Sequence, residues 1–291
     1  MPPGTLVDVC SVEEAVHNAA QQLQPHRTAR LDAELLLAHV LKKPRVWVLT
    51  HCEQTLTQDQ RHVFESLVTR RRSGEPLAYI RGHVEWFGCT YVVTPDVLIP
   101  RPETELMLSA AIAIAQDTGA KIVVDVGTGS GALATQLALN LPAAHVIGVD
   151  VSPAALAVAH HNAAVLGTGN RITFLLGDLL APVACQPDVI VANLPYLSDS
   201  MMRDSPRDVR FEPPLALYGG REGTDLYERL LAQTACVAPH ATLLLEIAPE
   251  QVDRIVALLH RHLPQHRIDI HQDYAQSDRY IVAQLAPAGG E

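Results

Sequence analysis

The apolar positions along this chain change their period twice. Up to about Gly74 they recur at helical spacing. Val12, Ala15 and Val16 open one amphipathic segment, and Ser11 before them predicts its N-cap. Leu35, Leu36, Leu37 and Val40 mark a second helix over residues 31–41. Val63, Phe64, Leu67 and Val68 mark a third over 57–72. That helix closes on Arg70-Arg71-Arg72-Ser73-Gly74, cations and then a glycine, as a helix C-terminus favours.

Between Tyr79 and Thr94 the pattern shortens. Tyr79-Ile80, Val84-Glu85-Trp86-Phe87 and Thr90-Tyr91-Val92-Val93 are strand-like pieces broken by Gly82 and Gly88, which predicts a hairpin joining two domains. Pro100-Arg101-Pro102-Glu103-Thr104-Glu105 then makes a stiff entry, with Pro102 suited to the first turn of a helix running through 106–115.

From Lys121 apolar runs alternate with helical segments. Strands are expected at 122–126, 145–149, 172–176, 189–192, 242–246, more weakly 268–271, and 280–285. Helices are expected at 132–140, 153–166, 226–236 and 249–262. This is a doubly wound, Rossmann-like α/β pattern with seven strands and a mostly parallel sheet. The loop at 273–278 is too short for a parallel crossover, so the last two strands should pair antiparallel. The predicted organisation is a helical domain over 1–78, a hairpin linker over 79–104, and an α/β domain over 105–291. A short low-complexity tail, Pro287–Glu291, ends the chain.

With 291 residues and 48% hydrophobic content, the chain reads as globular. Its formal net charge of -10 argues against a non-specific nucleic-acid binder, which needs a basic face. Cys10, Cys52, Cys89, Cys185 and Cys236 are scattered and never spaced as C-x-x-C, so neither a disulfide framework nor a zinc site is expected and a reducing, cytoplasmic setting fits. Met1-Pro2-Pro3-Gly4 does not open a signal peptide, and no apolar run approaches the length of a membrane span. No metal site is expected among the 14 dispersed histidines.

The chemistry sits at strand ends. Asp125-Val126-Gly127-Thr128-Gly129-Ser130-Gly131 follows the first strand of the α/β part and precedes a helix. Glycines there let the backbone turn sharply and approach a ligand closely. Asp150 ends the next strand, where a carboxylate can hold two ribose hydroxyls. Gly127-x-Gly129-x-x-Ala132 also satisfies the dinucleotide fingerprint, so a nicotinamide enzyme competes at this point. Gly131, which extends the loop to G-x-G-x-G, and Gly177-Asp178-Leu179, a carboxylate and an apolar side chain for an adenine, tilt the reading toward S-adenosylmethionine.

Asn193-Leu194-Pro195-Tyr196 follows the strand Val189–Ala192. The Asn193 side-chain oxygen and a backbone carbonyl of Leu194 or Pro195 can each accept one hydrogen of a planar –NH2 group. Pro195 stiffens the turn and donates no N–H, and the Tyr196 ring offers a surface to lie against. This is a device for alkylating nitrogen. Leu98 is a candidate for packing on a substrate side chain. Arg101 and Glu103 suit either a substrate entrance or a fixed inter-domain link, Glu212 a loop pin, and Glu246 a loop-orienting or solvent-facing role.

The order of Pro100–Glu105, Asp125–Gly131, Gly148-Val149-Asp150, Asn193–Tyr196, Val209-Arg210-Phe211-Glu212-Pro213, Ala216–Gly220 and Gly223–Tyr227 resembles the release-factor glutamine N5-methyltransferases over nearly the whole chain. The resemblance implies a class I methyltransferase fold with an N-terminal substrate-recognition domain. It implies S-adenosylmethionine as cofactor and S-adenosylhomocysteine as product. The implied substrate is the glutamine of the Gly-Gly-Gln loop in class 1 peptide chain release factors, whose amide Asn193 to Tyr196 would grip. A monomer without nucleic-acid or membrane partners is expected. Two positions depart from the family: Leu194 stands where Asn-Pro-Pro-Tyr has its first proline, and Leu179 where an aromatic is usual. Ribosomal RNA adenine dimethylases carry Asn-Leu-Pro-Tyr, which keeps an adenine N-methyltransferase as the alternative, beside a non-catalytic release-factor-binding module.

Overall fold

A computed structural model describes residues 10–285. The first residues and the tail Pro287–Glu291 lie outside them. The chain forms two compact units: one runs to Gly82 and includes Arg207–Phe211, and the other holds His83–Pro206 and Glu212 onward.

The first unit is helical. Its helices are α1 (Val12–Gln22), α2 (Ala29–Leu41), α3 (Arg45–Thr50), α4 (Gln58–Arg72) and α5 (Leu77–Arg81). The N-termini of α1 and α4 are closed by capping boxes. Ser11 Oγ accepts from the Glu14 N–H at 3.2 Å while Glu14 Oε2 accepts from the Ser11 N–H at 2.9 Å, and Thr57 and Gln60 repeat the exchange. Leu23, Ala33, Leu36, Leu37, Phe64 and Val68 form the core. The arginine run has a structural use. Arg71 is buried and donates to buried Asp32 at 2.7 Å, and Arg70 pairs with Glu75.

Tyr79 and Ile80, expected in a strand, lie in α5 and are buried. Pro76 opens this single turn and Gly82, at φ 76°, ends it. Five residues are too few to show a helical period. The hairpin itself forms from β1 (His83–Trp86) and β2 (Cys89–Val92). Phe87 and Gly88 both take positive φ, 45° and 73°, which suits a two-residue connection matched to strand twist.

The second unit is a seven-stranded sheet. After α6 (Thr104–Thr118) come β3 (Ile122–Val126), α7 (Ala132–Asn140), β4 (His145–Asp150), α8 (Pro153–Val165), β5 (Ile172–Leu176) and β6 (Val189–Ala192). The short α9 (Asp199–Asp204) and two 3-10 turns, Val209–Phe211 and Pro214–Ala216, precede α10 (Asp225–Val237), β7 (Thr242–Glu246), α11 (Val252–His262), β8 (His266–Gln272) and β9 (Asp278–Leu285). The strand order is β5-β4-β3-β6-β7-β9-β8. β9 alone runs against the rest, pairing antiparallel with both β7 and β8. β3 and β6 are buried almost throughout, as strands covered on both faces must be. Chain connectivity reverses direction at β3, between β4 and β6, and such a switch point opens a crevice at the carboxyl ends of the strands.

Candidate active site

That crevice is a cavity of about 390 Å³ lined by Leu98, Gly127, Gly129, Asp150, Asp178, Leu179, Asn193 and Pro195, among others. The volume is in the range of small-molecule sites. A smaller recess adjoins it, walled by Trp86, Pro100, Arg101, Thr104, Thr128 and Ser130. Leu98, Gly127, Gly129 and Asn193 line both. The two spaces therefore meet at the tip of β6. A separate cleft of about 440 Å³ in the helical unit is walled mainly by side chains of α1 and α4. Mid-helix backbone groups are already paired and offer a ligand little.

The glycine turn is stitched to the neighbouring strand. The N–H groups of Gly127 and Thr128 donate to the Val149 carbonyl at 2.8 and 2.9 Å. The Gly129 N–H donates to Asp150 Oδ2 at 2.9 Å, and the Ser152 N–H to Asp150 Oδ1 at 2.9 Å. Gly127 and Gly129 take φ of 75° and 53°, a region that costs a side chain dearly. Each Asp150 oxygen keeps a second lone pair, so a vicinal diol can still be held.

Asp125 has a different place. It is fully buried below the loop and is not on the cavity wall. Its Oδ2 accepts from Thr128 Oγ1 at 2.7 Å and from the Ala134 N–H at 3.1 Å, which fixes the loop to the start of α7. Oδ1 has no partner among the described residues, and burial pushes the carboxyl up to about 7. Gly131 also lies off the cavity. A β-carbon there would sit 2.8 Å from Ala159 Cβ, so its smallness seats α7 against α8.

Asp178 and Leu179 form the far wall. Asp178 pairs with Arg229, both partly exposed. Leu179 is buried at φ 53°. A left-handed leucine costs about 1–2 kcal/mol and marks a site where the surroundings dictate the backbone. The Leu180 N–H donates to Gln233 Oε1 at 2.7 Å, which holds the turn.

At the β6 tip, Asn193 Nδ2 donates to Thr104 Oγ1 at 3.2 Å. Its Oδ1 accepts no hydrogen bond from the described residues and is the end left for a ligand. Leu194 is buried in the sheet core, and a β-carbon on Gly127 would lie 3.2 Å from its Cδ2. Its carbonyl lies 3.4 Å from the Tyr227 hydroxyl, which donates more closely to the Glu246 carbonyl. Tyr196 is half-buried against the core, and burial with the Glu246 charge raises its phenol to about 12.

Buried Glu212 accepts from the Ile99 N–H at 3.1 Å and pairs with Arg101, which ties Pro213 and its neighbours to the Pro100–Glu105 entry. This is the loop pin expected of it. Two residues that sequence reasoning passed over also build the site. Gln251 Nε2 donates to the Tyr196 carbonyl at 2.7 Å. Buried Asn162 exchanges hydrogen bonds with the Val92 backbone and donates to the Ser130 carbonyl at 2.9 Å. A lone amide in the alanine-rich stretch of α8 was the available signal.

The cavity suits a nucleoside carrying a polar tail: carboxylates at Asp150 and Asp178, an aliphatic plate at Leu179, and bare backbone at Gly127 and Gly129. Relatives decide the family. A release factor glutamine methyltransferase from Moorella thermoacetica is 40% identical over 87% of this chain and 90% of its own length. The Vibrio cholerae protein of that name is 36% identical over 94% of this chain and 96% of its own. The chain belongs to the release factor glutamine methyltransferase family. Residues 14–82 match the family described as PrmC N-terminal domain. Residues 102–203 match ribosomal protein L11 methyltransferase (PrmA), a span that contains the glycine turn and Asn193. Among solved structures, the hMettl16 catalytic domain in complex with a MAT2A 3'UTR hairpin superposes with a TM-score of 0.58 at 11% identity, over 82% of this chain and 87% of that one. At that identity it shows the fold alone.

Proposed function

We propose that this protein transfers a methyl group from S-adenosylmethionine to the side-chain N5 of the glutamine in the Gly-Gly-Gln loop of class 1 peptide chain release factors. One observation carries the reading furthest. In a chain of this family, Asn193 stands at the junction of the nucleoside-sized cavity and the recess, with its amide nitrogen already engaged. S-adenosylmethionine, when bound, supplies an electrophilic methyl on a sulfonium. Asp150 would take its ribose hydroxyls, Asp178 and Leu179 its base, and the glycine turn its tail.

A carboxamide nitrogen is a weak nucleophile because its lone pair is delocalised into the carbonyl. Asn193 Oδ1 accepts one of its hydrogens and the Leu194 or Pro195 carbonyl the other. These contacts localise density on nitrogen and hold it in line with the methyl. The Tyr196 ring packs on the core behind the cavity wall, so it steadies the turn instead of offering the amide the face expected from the sequence. Bound S-adenosylmethionine would supply the methyl to the nitrogen lone pair and keep the S–C electron pair as its thioether product, and the amide proton would leave to solvent once nitrogen is alkylated. Most of the acceleration is positional.

Leu194 does not favour an adenine substrate. Its side chain is in the core, 3% exposed, where it packs under the glycine turn. Incubation with labelled S-adenosylmethionine and either a class 1 release factor or RNA tests the reading. Label is expected in the release factor, and label in RNA alone would overturn it.

A further inference from the structure

We infer that Gln251 is a positioning residue for methyl transfer: its side-chain amide clamps the Asn193–Tyr196 turn to the loop before α10. The inference rests on the amide-methylation reading above and adds to it the group that keeps the substrate's acceptors in place. Gln251 ends the 3-10 turn Pro249–Gln251, between β7 and α11, and is 5% exposed. Its N–H donates to the Ala248 carbonyl at 2.9 Å, and Val252 after it packs into the sheet core. The side chain therefore leaves from a fixed backbone.

Nε2 of a glutamine carries two hydrogens. In Gln251 one reaches the Tyr196 carbonyl at 2.7 Å and the other the Glu222 carbonyl at 3.2 Å. Gly223 leaves room for them, since a β-carbon there would stand 2.3 Å from Nε2. Two carbonyls at one end decide which way the amide turns, because the reversed amide would set Oε1 against both oxygens. In the orientation found, Oε1 is buried with no hydrogen-bond partner among the described residues. A buried acceptor left unpaired weakens a fold, so its retention calls for a use. The use here is the hold on both carbonyls.

That hold acts close to the reacting groups. The Tyr196 carbonyl belongs to the peptide next to the Pro195 carbonyl and two along from that of Leu194. The Pro195 ring locks its own φ, so this stretch shifts as one piece. The Leu197 N–H donates to the Leu217 carbonyl at 2.9 Å, which anchors the far side of the same peptide. Without Gln251 the Tyr196 carbonyl loses its tie to α11 and Asn193 loses a rigid support. Gln251→Met removes both donors at nearly constant length, and Gln251→Asn keeps an amide but draws it back by one methylene.

The test is steady-state methylation of a class 1 release factor by the full-length enzyme, with S-adenosylhomocysteine titrated calorimetrically in parallel. Gln251→Met and Gln251→Asn should each lower kcat by about 30- to 100-fold. The release-factor KM and the S-adenosylhomocysteine affinity should stay within about threefold of wild type. A double-mutant cycle with Asn193→Ala, read in single turnovers, separates positioning from general weakening. Residues that act as one unit are not additive, so Gln251→Met should cost less than about threefold once Asn193 is alanine. Wild-type-like turnover in either variant would overturn the clamp and leave the methylation reading standing. So would a parallel loss of S-adenosylhomocysteine affinity, or a loss repeated in full in the Asn193→Ala background. A wild-type enzyme that never methylates the glutamine would overturn the reading and the clamp together.

Discussion

Gly219 lies directly against Pro195: a β-carbon built on the glycine would sit 2.3 Å from the Pro195 carbonyl oxygen and 2.8 Å from Tyr196 Cα. Gly223 approaches the same turn, with the Tyr196 oxygen 2.2 Å from its β-carbon position. The loop before α10 is thus a plate on which the Asn193–Tyr196 turn rests. Backbone cannot give way as a flexible side chain can. Gly219→Ala should displace the turn by a fraction of an ångström to an ångström and lower turnover on the order of 100-fold, with S-adenosylhomocysteine affinity little changed. Parallel kinetics and calorimetry check it.

Asn193→Ala removes the acceptor and leaves the glycine turn, Asp150 and Asp178 in place. Turnover should fall by about two to three orders of magnitude while the cofactor still binds. Single-turnover methylation with saturating cofactor isolates the effect. A rate near wild type would remove Asn193 from its assigned role.

Asp150→Ala acts in the other compartment. It strips partners from the Gly129 and Ser152 N–H groups as well as from a ribose. Unpaired groups of this kind cost about 1–3 kcal/mol. S-adenosylhomocysteine affinity should therefore fall by about ten- to 100-fold, with a smaller change in the release-factor KM. Titration calorimetry on the variant reads the first quantity and steady-state kinetics the second.

Much of this arrangement was legible in the chain. Buried and alternating apolar runs located all seven strands: central β3 and β6 are covered on both faces and so continuously apolar, while half-exposed edge strand β8 gave the weaker signal. The short Asp273–Asp278 connection gave the antiparallel β9. α3, α5 and α9 escaped because five or six residues cannot display a period. At the site, Gly127, Gly129, Asp150, Asp178, Leu179, Asn193, Pro195 and Leu98 converge on one cavity, while Asp125, Gly131, Leu194 and Tyr196 stand behind its walls. Local sequence does not separate these two groups, since a strand-end aspartate reads alike above or below the loop. Thr104 escaped for another reason: its partner is 89 residues away.

Asp125 makes the fold's stability depend on pH with a definite sign. Burial raises its folded-state carboxyl to about 7, above the ordinary value of 3.8. Between these values the native state holds more protons than the unfolded chain, so this contribution is full below the lower value and is lost as pH rises through the higher. Asp125→Asn cannot titrate. The stability of wild type relative to this variant should decline from about pH 4 to about pH 7 and stay level above that, as urea titrations at several pH values would record. A relative stability that rises over that window would contradict the buried, unpaired state of Oδ1.

Mass spectrometry of a class 1 release factor treated with this enzyme and S-adenosylmethionine tests the central claim most directly. The expected result is a single added methyl on the glutamine of the Gly-Gly-Gln loop, absent when Asn193→Ala replaces the wild-type enzyme. An unmodified glutamine, or a methyl found on any other residue, would contradict it.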